Sequence, residues 1–184
     1  MKIIGIIGWK NNGKTTLIEK LVEGWVSMGL RVSTIKHAHH DFDIDHFGKD
    51  SYRHRAAGAQ EVIVASKMRW ALIHEAREEK EANLEQLLAL LAPTDLVIVE
   101  GYKHHAHPKI EVVLDAAVVP ISQNGDSSII AVACMDQNFK SDLPKLPLNQ
   151  PAVVAKFILD HLHIAPCDNE TTKCFNYKSA NACV

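Results

Sequence analysis

Residues Ile3-Ile4-Gly5-Ile6-Ile7-Gly8-Trp9-Lys10-Asn11-Asn12-Gly13-Lys14-Thr15-Thr16 lead from an apolar run, through a loop bounded by glycines, into a segment where Leu17, Ile18, Leu21, Val22 and Trp25 recur at helical spacing. The order is strand, loop, helix. The isoleucines form the near-continuous apolar run of a strand buried on both faces, and Gly29 supplies the helix stop. The loop spells G-x-x-x-x-G-K-T, a spacing at which backbone N–H groups converge at the partly positive N-terminus of a helix and draw an anion. In such a loop Lys14 reaches the β and γ phosphates as a point charge and Thr15 offers its hydroxyl to Mg²⁺. The glycines permit a backbone path that a Cβ would block. Gly8, Asn11, Asn12, Gly13, Lys14, Thr15 and Thr16 are therefore the expected nucleotide-binding residues.

Further along, Asp95-Leu96-Val97-Ile98-Val99-Glu100-Gly101 reads as a buried strand ending in a carboxylate. A phosphate-binding loop needs an acid at the exit of a neighbouring strand to hold Mg²⁺, which assigns Glu100 that role, with Asp95 as the alternative. Asp41, Asp43 and Asp45 alternate with Phe42 and Ile44, so an extended chain sets the three carboxylates on one face. Asp43 is the favoured further metal-side residue, set against a merely solvated acidic loop. Asp136 follows the strand Ser128 to Cys134, where a carboxylate accepts two hydrogen bonds from guanine and finds no matching donors on adenine; GTP is the expected nucleotide. Histidines cluster at 37, 39, 40, 46 and 54 and again at 104, 105 and 107, a composition suited either to a transition metal or to hydrogen bonding of a ligand. No residue reads as a general base or an arginine finger, so no catalytic residue is assigned and hydrolysis is expected to be slow.

The remaining pattern gives strands over 31–37, 61–66, 70–75, 109–115 and 128–134, and helices over 51–59, 78–91 and 152–163. The strands at 61–66 and 70–75 form an antiparallel hairpin, and a proline-spaced loop covers 138–150. The fold class is α/β: a mostly parallel sheet flanked by helices, a P-loop NTPase fold with a hairpin extension. Residues 1–164 are expected to form one nucleotide-binding domain and 165–184 a flexible tail carrying Cys167, Cys174 and Cys183. A formal charge of −2 across 184 residues leaves no basic field for nucleic acid, and no apolar run approaches a membrane span, so a cytoplasmic protein with reduced thiols is expected.

Several blocks in order extend the likeness beyond one loop: residues 35–45 (Ile35-Lys36-His37-Ala38-His39-His40-Asp41-Phe42-Asp43-Ile44-Asp45), Gly48 to Tyr52, Arg55 to Ala59, Ala65-Ser66 with Arg69-Trp70-Ala71-Leu72, and Val99-Glu100-Gly101-Tyr102-Lys103. Over about residues 1 to 163 the chain resembles the MobB proteins, P-loop GTP-binding adaptors of molybdopterin-guanine dinucleotide synthesis. The resemblance implies a homodimer with weak GTPase activity that works beside the MobA guanylyltransferase, which joins GMP to molybdopterin. It carries nucleotide roles to Gly8, Asn12, Gly13, Lys14, Thr15 and Thr16, and the metal-side acid to Glu100. The cysteine-bearing tail departs from the family pattern. A nickel-inserting GTPase, which needs a Cys/His metal site, and a small-molecule kinase are the rival readings.

Overall fold

The computed structural model describes residues 1–38, 42–78, 80–114, 119–136 and 138–165. The isoleucine run is β1 (Lys2–Ile7), followed by α1 (Lys14–Ser27) and β2 (Val32–Lys36). β5 (Leu96–Glu100), β6 (Lys109–Val113), β7 (Ile129–Cys134), β8 (Lys145–Pro147) and α4 (Pro151–Leu162) complete the first of two compact units, made of residues 1–37 and 91 onward. Residues 38–90 form the second, with α2 (Asp50–Ala56), β3 (Glu61–Ala65), β4 (Trp70–His74) and α3 (Leu84–Ala89).

The first unit holds a six-stranded sheet in the order β2-β5-β1-β6-β7-β8, parallel at every pairing. The expected fold class is what forms. Alternate residues point to opposite faces, and Ile4, Ile6, Leu96, Ile98, Ile110, Val112, Ala131 and Ala133 all meet Leu17, Leu21 and Trp25 of α1 and Val154, Ile158 and Leu162 of α4. Burying one of the isoleucine, leucine or valine side chains contributes about 1.5–3 kcal/mol. Val113, Val132 and Cys134 pack with Phe139 in a separate cluster. α1 stops where expected: Leu30 N–H reaches the Trp25 carbonyl and Gly29 N–H the Val26 carbonyl, the two-bond C-terminal cap of a helix.

In the second unit β3 and β4 pair antiparallel, from Glu61↔His74 to Ala65↔Trp70, as the hairpin reading requires. The helix expected over 78–91 is shorter. α3 begins at Leu84 because Asn83 caps it, accepting from Gln86 N–H while the Gln86 side chain accepts from Asn83 N–H. Arg77 instead sits in a turn and donates to the carbonyls of Ala59 and Arg55, beyond and at the end of α2. The second correction is β8, within the stretch expected to be loop: Val132 N–H bonds the Pro144 carbonyl and Leu148 N–H the Cys134 carbonyl, seating buried Leu146 at the sheet edge.

Candidate functional site

Because the sheet is parallel, the carboxyl ends of β1, β5, β6 and β7 share one edge, and the loops leaving them are neighbours. The loop after β1 is shaped by its backbone. Gly8 has φ 144°, and a Cβ there would lie 2.5 Å from the Val112 carbonyl oxygen, so only glycine lets the chain pass this close to β6. Asn12 is buried and donates through Nδ2 to the same carbonyl at 3.2 Å, tying the loop to β6. Asn11 takes a left-handed conformation, tolerable for asparagine, and Gly13 another, after which Leu17 N–H to Gly13 O opens α1.

The N-terminus of α1 has no side-chain cap and no acidic residue in its first turn. Backbone N–H groups there lack intrahelical acceptors and carry the positive end of the helix dipole. Lys14 Nζ lies 2.7 Å from the Trp9 carbonyl oxygen, folded over the loop. Thr15 Oγ1 donates to Glu100 Oε1 at 3.5 Å, and Lys36 Nζ stands 3.8 Å from Glu100 Oε2. Burial holds the Lys14 ammonium below the ordinary lysine value; Glu100 pulls it back up, while Lys103 and Lys36 press it down further. A desolvated cation among cations gains from an incoming anion. The cradle fits a phosphate chain, and the hydroxyl of Thr15 beside the carboxylate of Glu100 fits a hard cation that prefers oxygen. Asp95, the alternative acid, is held by Arg31 at the opposite end of β5, at 2.8 Å from Nη2.

Gly101 follows at φ 94°, where a Cβ would come within 3.0 Å of His37 Cβ, and this lets the His37 ring lie 4.6 Å from that of Tyr102. Lys36, His37, Tyr102 and Lys103 thus gather around Glu100 and the loop. All four lie inside the family blocks, where the sequence assigns a ligand role only to His37, among the clustered histidines; the signal for the others is position beside the ends of β2 and β5, strands that pair Lys36 with Glu100.

Asp136 is exposed at the exit of β7, two strands from β1, which is about 10 Å of sheet width. Its Oδ1 accepts from Asn138 N–H. Thr16 is exposed in the first turn of α1. Asp43 belongs to the second unit, where it and Asp45 accept from Arg55 at 3.1 and 3.2 Å, and Glu75 does so at 2.6 Å. The backbone N–H of Asp45 and then the Arg55 guanidinium hold the Asp43 carboxyl below its usual range. His39, His40, Asp41 and the cysteines of the tail lie outside the described residues. Among the described residues no three His, Cys, Asp or Glu side chains are grouped to hold a metal, and no helix is long and apolar enough to cross a membrane.

A protein-family model described as MobB, molybdopterin guanine dinucleotide synthesis protein B, matches residues 3–135. The molybdopterin-guanine dinucleotide biosynthesis adapter protein of Escherichia coli K12 is 39% identical over 161 residues, covering 86% of this chain and 91% of its own length. That of Haemophilus influenzae is 37% identical over 163 residues, covering 88% and 89%. Among solved structures, a molybdopterin-guanine biosynthesis protein B superposes with a TM-score of 0.71 at 28% identity over 87% of this chain and 99% of its own. A MobB homologue from Bacillus stearothermophilus does so at 0.67 and 26% identity, over 90% and 100%.

Proposed function

Because the chain belongs to the MobB family, we propose that it is a GTP-binding adaptor in molybdopterin-guanine dinucleotide biosynthesis, supporting a MobA-type guanylyltransferase that acts on molybdopterin. One observation carries the nucleotide part. The uncapped N-terminus of α1 meets Lys14, Thr15 and Glu100 at the carboxyl edge of the sheet. Gly8, Asn11 and Asn12 shape the cradle, Gly13 and Thr16 open the helix, and Lys14 neutralises phosphate charge. Thr15 and Glu100 would hold Mg²⁺, which supplies charge neutralisation when bound. Asp43, the further metal-side acid expected from the sequence, is engaged by Arg55 within the second unit. Asp136 reads the guanine edge.

Slow turnover suits an adaptor. Of the arginines, Arg31 alone belongs to the first unit, and it is bound to Asp95 at the other end of the strands. An arginine finger is worth about 10³–10⁵ in rate, and Arg31, paired with Asp95, does not supply one, which supports the slow-turnover reading. The homodimer is supported by the hairpin, where Ile63, Ala65, Trp70 and Leu72 share one face; Trp70 is 69% and Ile63 65% exposed. Two-stranded hairpins are marginal alone, and a second copy would cover this face.

The decisive experiment mixes the chain with its guanylyltransferase and molybdenum-loaded pterin at limiting GTP. Dinucleotide formation rises with added chain and fails to rise with the Lys14→Ala variant. Equal yields with and without the chain would remove the adaptor reading.

A further inference from the structure

Lys109 is fully buried in β6, yet its ammonium is saturated: it donates to the carbonyl of Lys103 at 2.8 Å, to that of His105 at 2.7 Å and to Asp126 Oδ2 at 2.8 Å. Asp126 is itself held by the N–H and hydroxyl of Ser128. Space for this buried stem comes from β1. A Cβ on Gly5, the register partner of Lys109, would strike Lys109 Cγ and the His107 ring, while Gly5 N–H fastens the Pro108 carbonyl at 2.8 Å. A buried charge is costly unless every donor is matched, and here two of the three matching acceptors lie on the segment that follows Glu100. The sheet thereby grips residues 101–108 from below, with the turn closed by His105 N–H on the Tyr102 carbonyl.

What this grip controls is Lys103. Its Nζ stands 4.8 Å from the centroid of the Trp9 ring, the residue whose carbonyl holds Lys14, and the Trp9 indole N–H is fixed on the Val119 carbonyl at 3.0 Å. We infer that Lys103 is the second cation of the phosphate site, reading the terminal phosphate of a nucleoside triphosphate, and that the buried ammonium of Lys109 is its positioning residue. The second-cation half rests on the triphosphate reading above; the positioning half stands on geometry alone.

Both halves are tested on the full chain with Lys103→Ala, Lys109→Met and the double variant, each checked for a cooperative thermal transition. Calorimetric titration is expected to show Lys103→Ala and Lys109→Met each weakening GTP about tenfold and GDP less, the size of one lost charge-assisted contact. The double variant should be no weaker than either single one. Losses that multiply in the double variant would mean that Lys109 acts on the fold and not through Lys103. Fluorine NMR of protein labelled with 5-fluorotryptophan, the Trp9 line assigned by Trp9→Phe, gives a second readout without nucleotide: Lys109→Met moves that line as Lys103→Ala does. An unmoved line overturns the positioning role, whereas a native chain that binds no GTP overturns the phosphate reading and leaves the NMR arm to decide the other half. If Lys109→Met does not fold, Asp126→Asn keeps the two carbonyl bonds, removes the counter-charge and should move the Trp9 line in the same direction by less.

Discussion

Lys14 shows how much one side chain is asked to do at this edge of the sheet. Among the described residues its side chain makes one hydrogen bond, to the Trp9 carbonyl, so Lys14→Ala should leave the urea midpoint of unfolding nearly unchanged while weakening GTP about 10- to 100-fold in a calorimetric titration, as removal of a charge-assisted contact does. Unchanged affinity would place the nucleotide elsewhere. Asp126 is the opposite case, a residue of structure. Hydrogen bonds from Lys109 and then Ser128 hold its carboxyl at about 2, whereas an unfolded aspartate titrates at about 3.9. A depressed carboxylate contributes stability that is whole above the unfolded value and is lost as pH falls through the folded one. Asp126→Asn should therefore be less stable than the native chain at pH 7, with the gap closing between about pH 4 and pH 2 in urea titrations. A gap independent of pH would refute the ion pair. Of these residues the sequence made Lys14, Thr15 and Glu100 legible, because a loop motif and a strand-end acid are local patterns. Lys109 and Asp126 were not, since a lone lysine in an apolar strand shows nothing of the two carbonyls and the carboxylate that gather on it from residues 103, 105 and 126.

Elements were legible where their period and their punctuation agreed. β1, α1, β5 and the hairpin fell where apolar spacing set them, and the cap of α1 at Gly29 agrees with its pattern. The helix expected over 78–91 starts only at Leu84, because the apolar period of Leu84, Leu87, Leu88 and Leu91 begins there and residues 78–83, apart from Ala82, add only polar side chains to it; the capping box at 83–86 is the local signal that marks the start. Asn83→Ala should thus cost about 1 kcal/mol, seen as a lowered urea midpoint, whereas a helix truly running through residue 83 would be stabilised by alanine. β8 was illegible for a different reason. Three residues, preceded by Pro144 and ending in Pro147, have no period to read, and it is the open edge of β7 that recruits them.

At the scale of the molecule, a formal charge of −2 sets little repulsion between copies, so association is decided by apolar surface. The hairpin presents it: Ile63 and Trp70 stand exposed on the face opposite Val62, which is buried on the side where α2 lies against β3. If that face is where a second copy sits, the native chain sediments as a dimer at micromolar concentration. Added salt should leave that dimer in place, because burial of apolar area is not screened as ion pairs are. Ile63→Glu with Trp70→Glu sets two carboxylates per copy against the partner's and should yield a monomer. GTP affinity of that monomer should be retained, since the cradle at residues 8–16 and Glu100 belongs to the other unit. A native chain that sediments as a monomer would end the homodimer proposal. A double variant that stays dimeric would keep the dimer and move its contact away from the hairpin, and a monomer that lost GTP as well would show that the site is completed across the two copies.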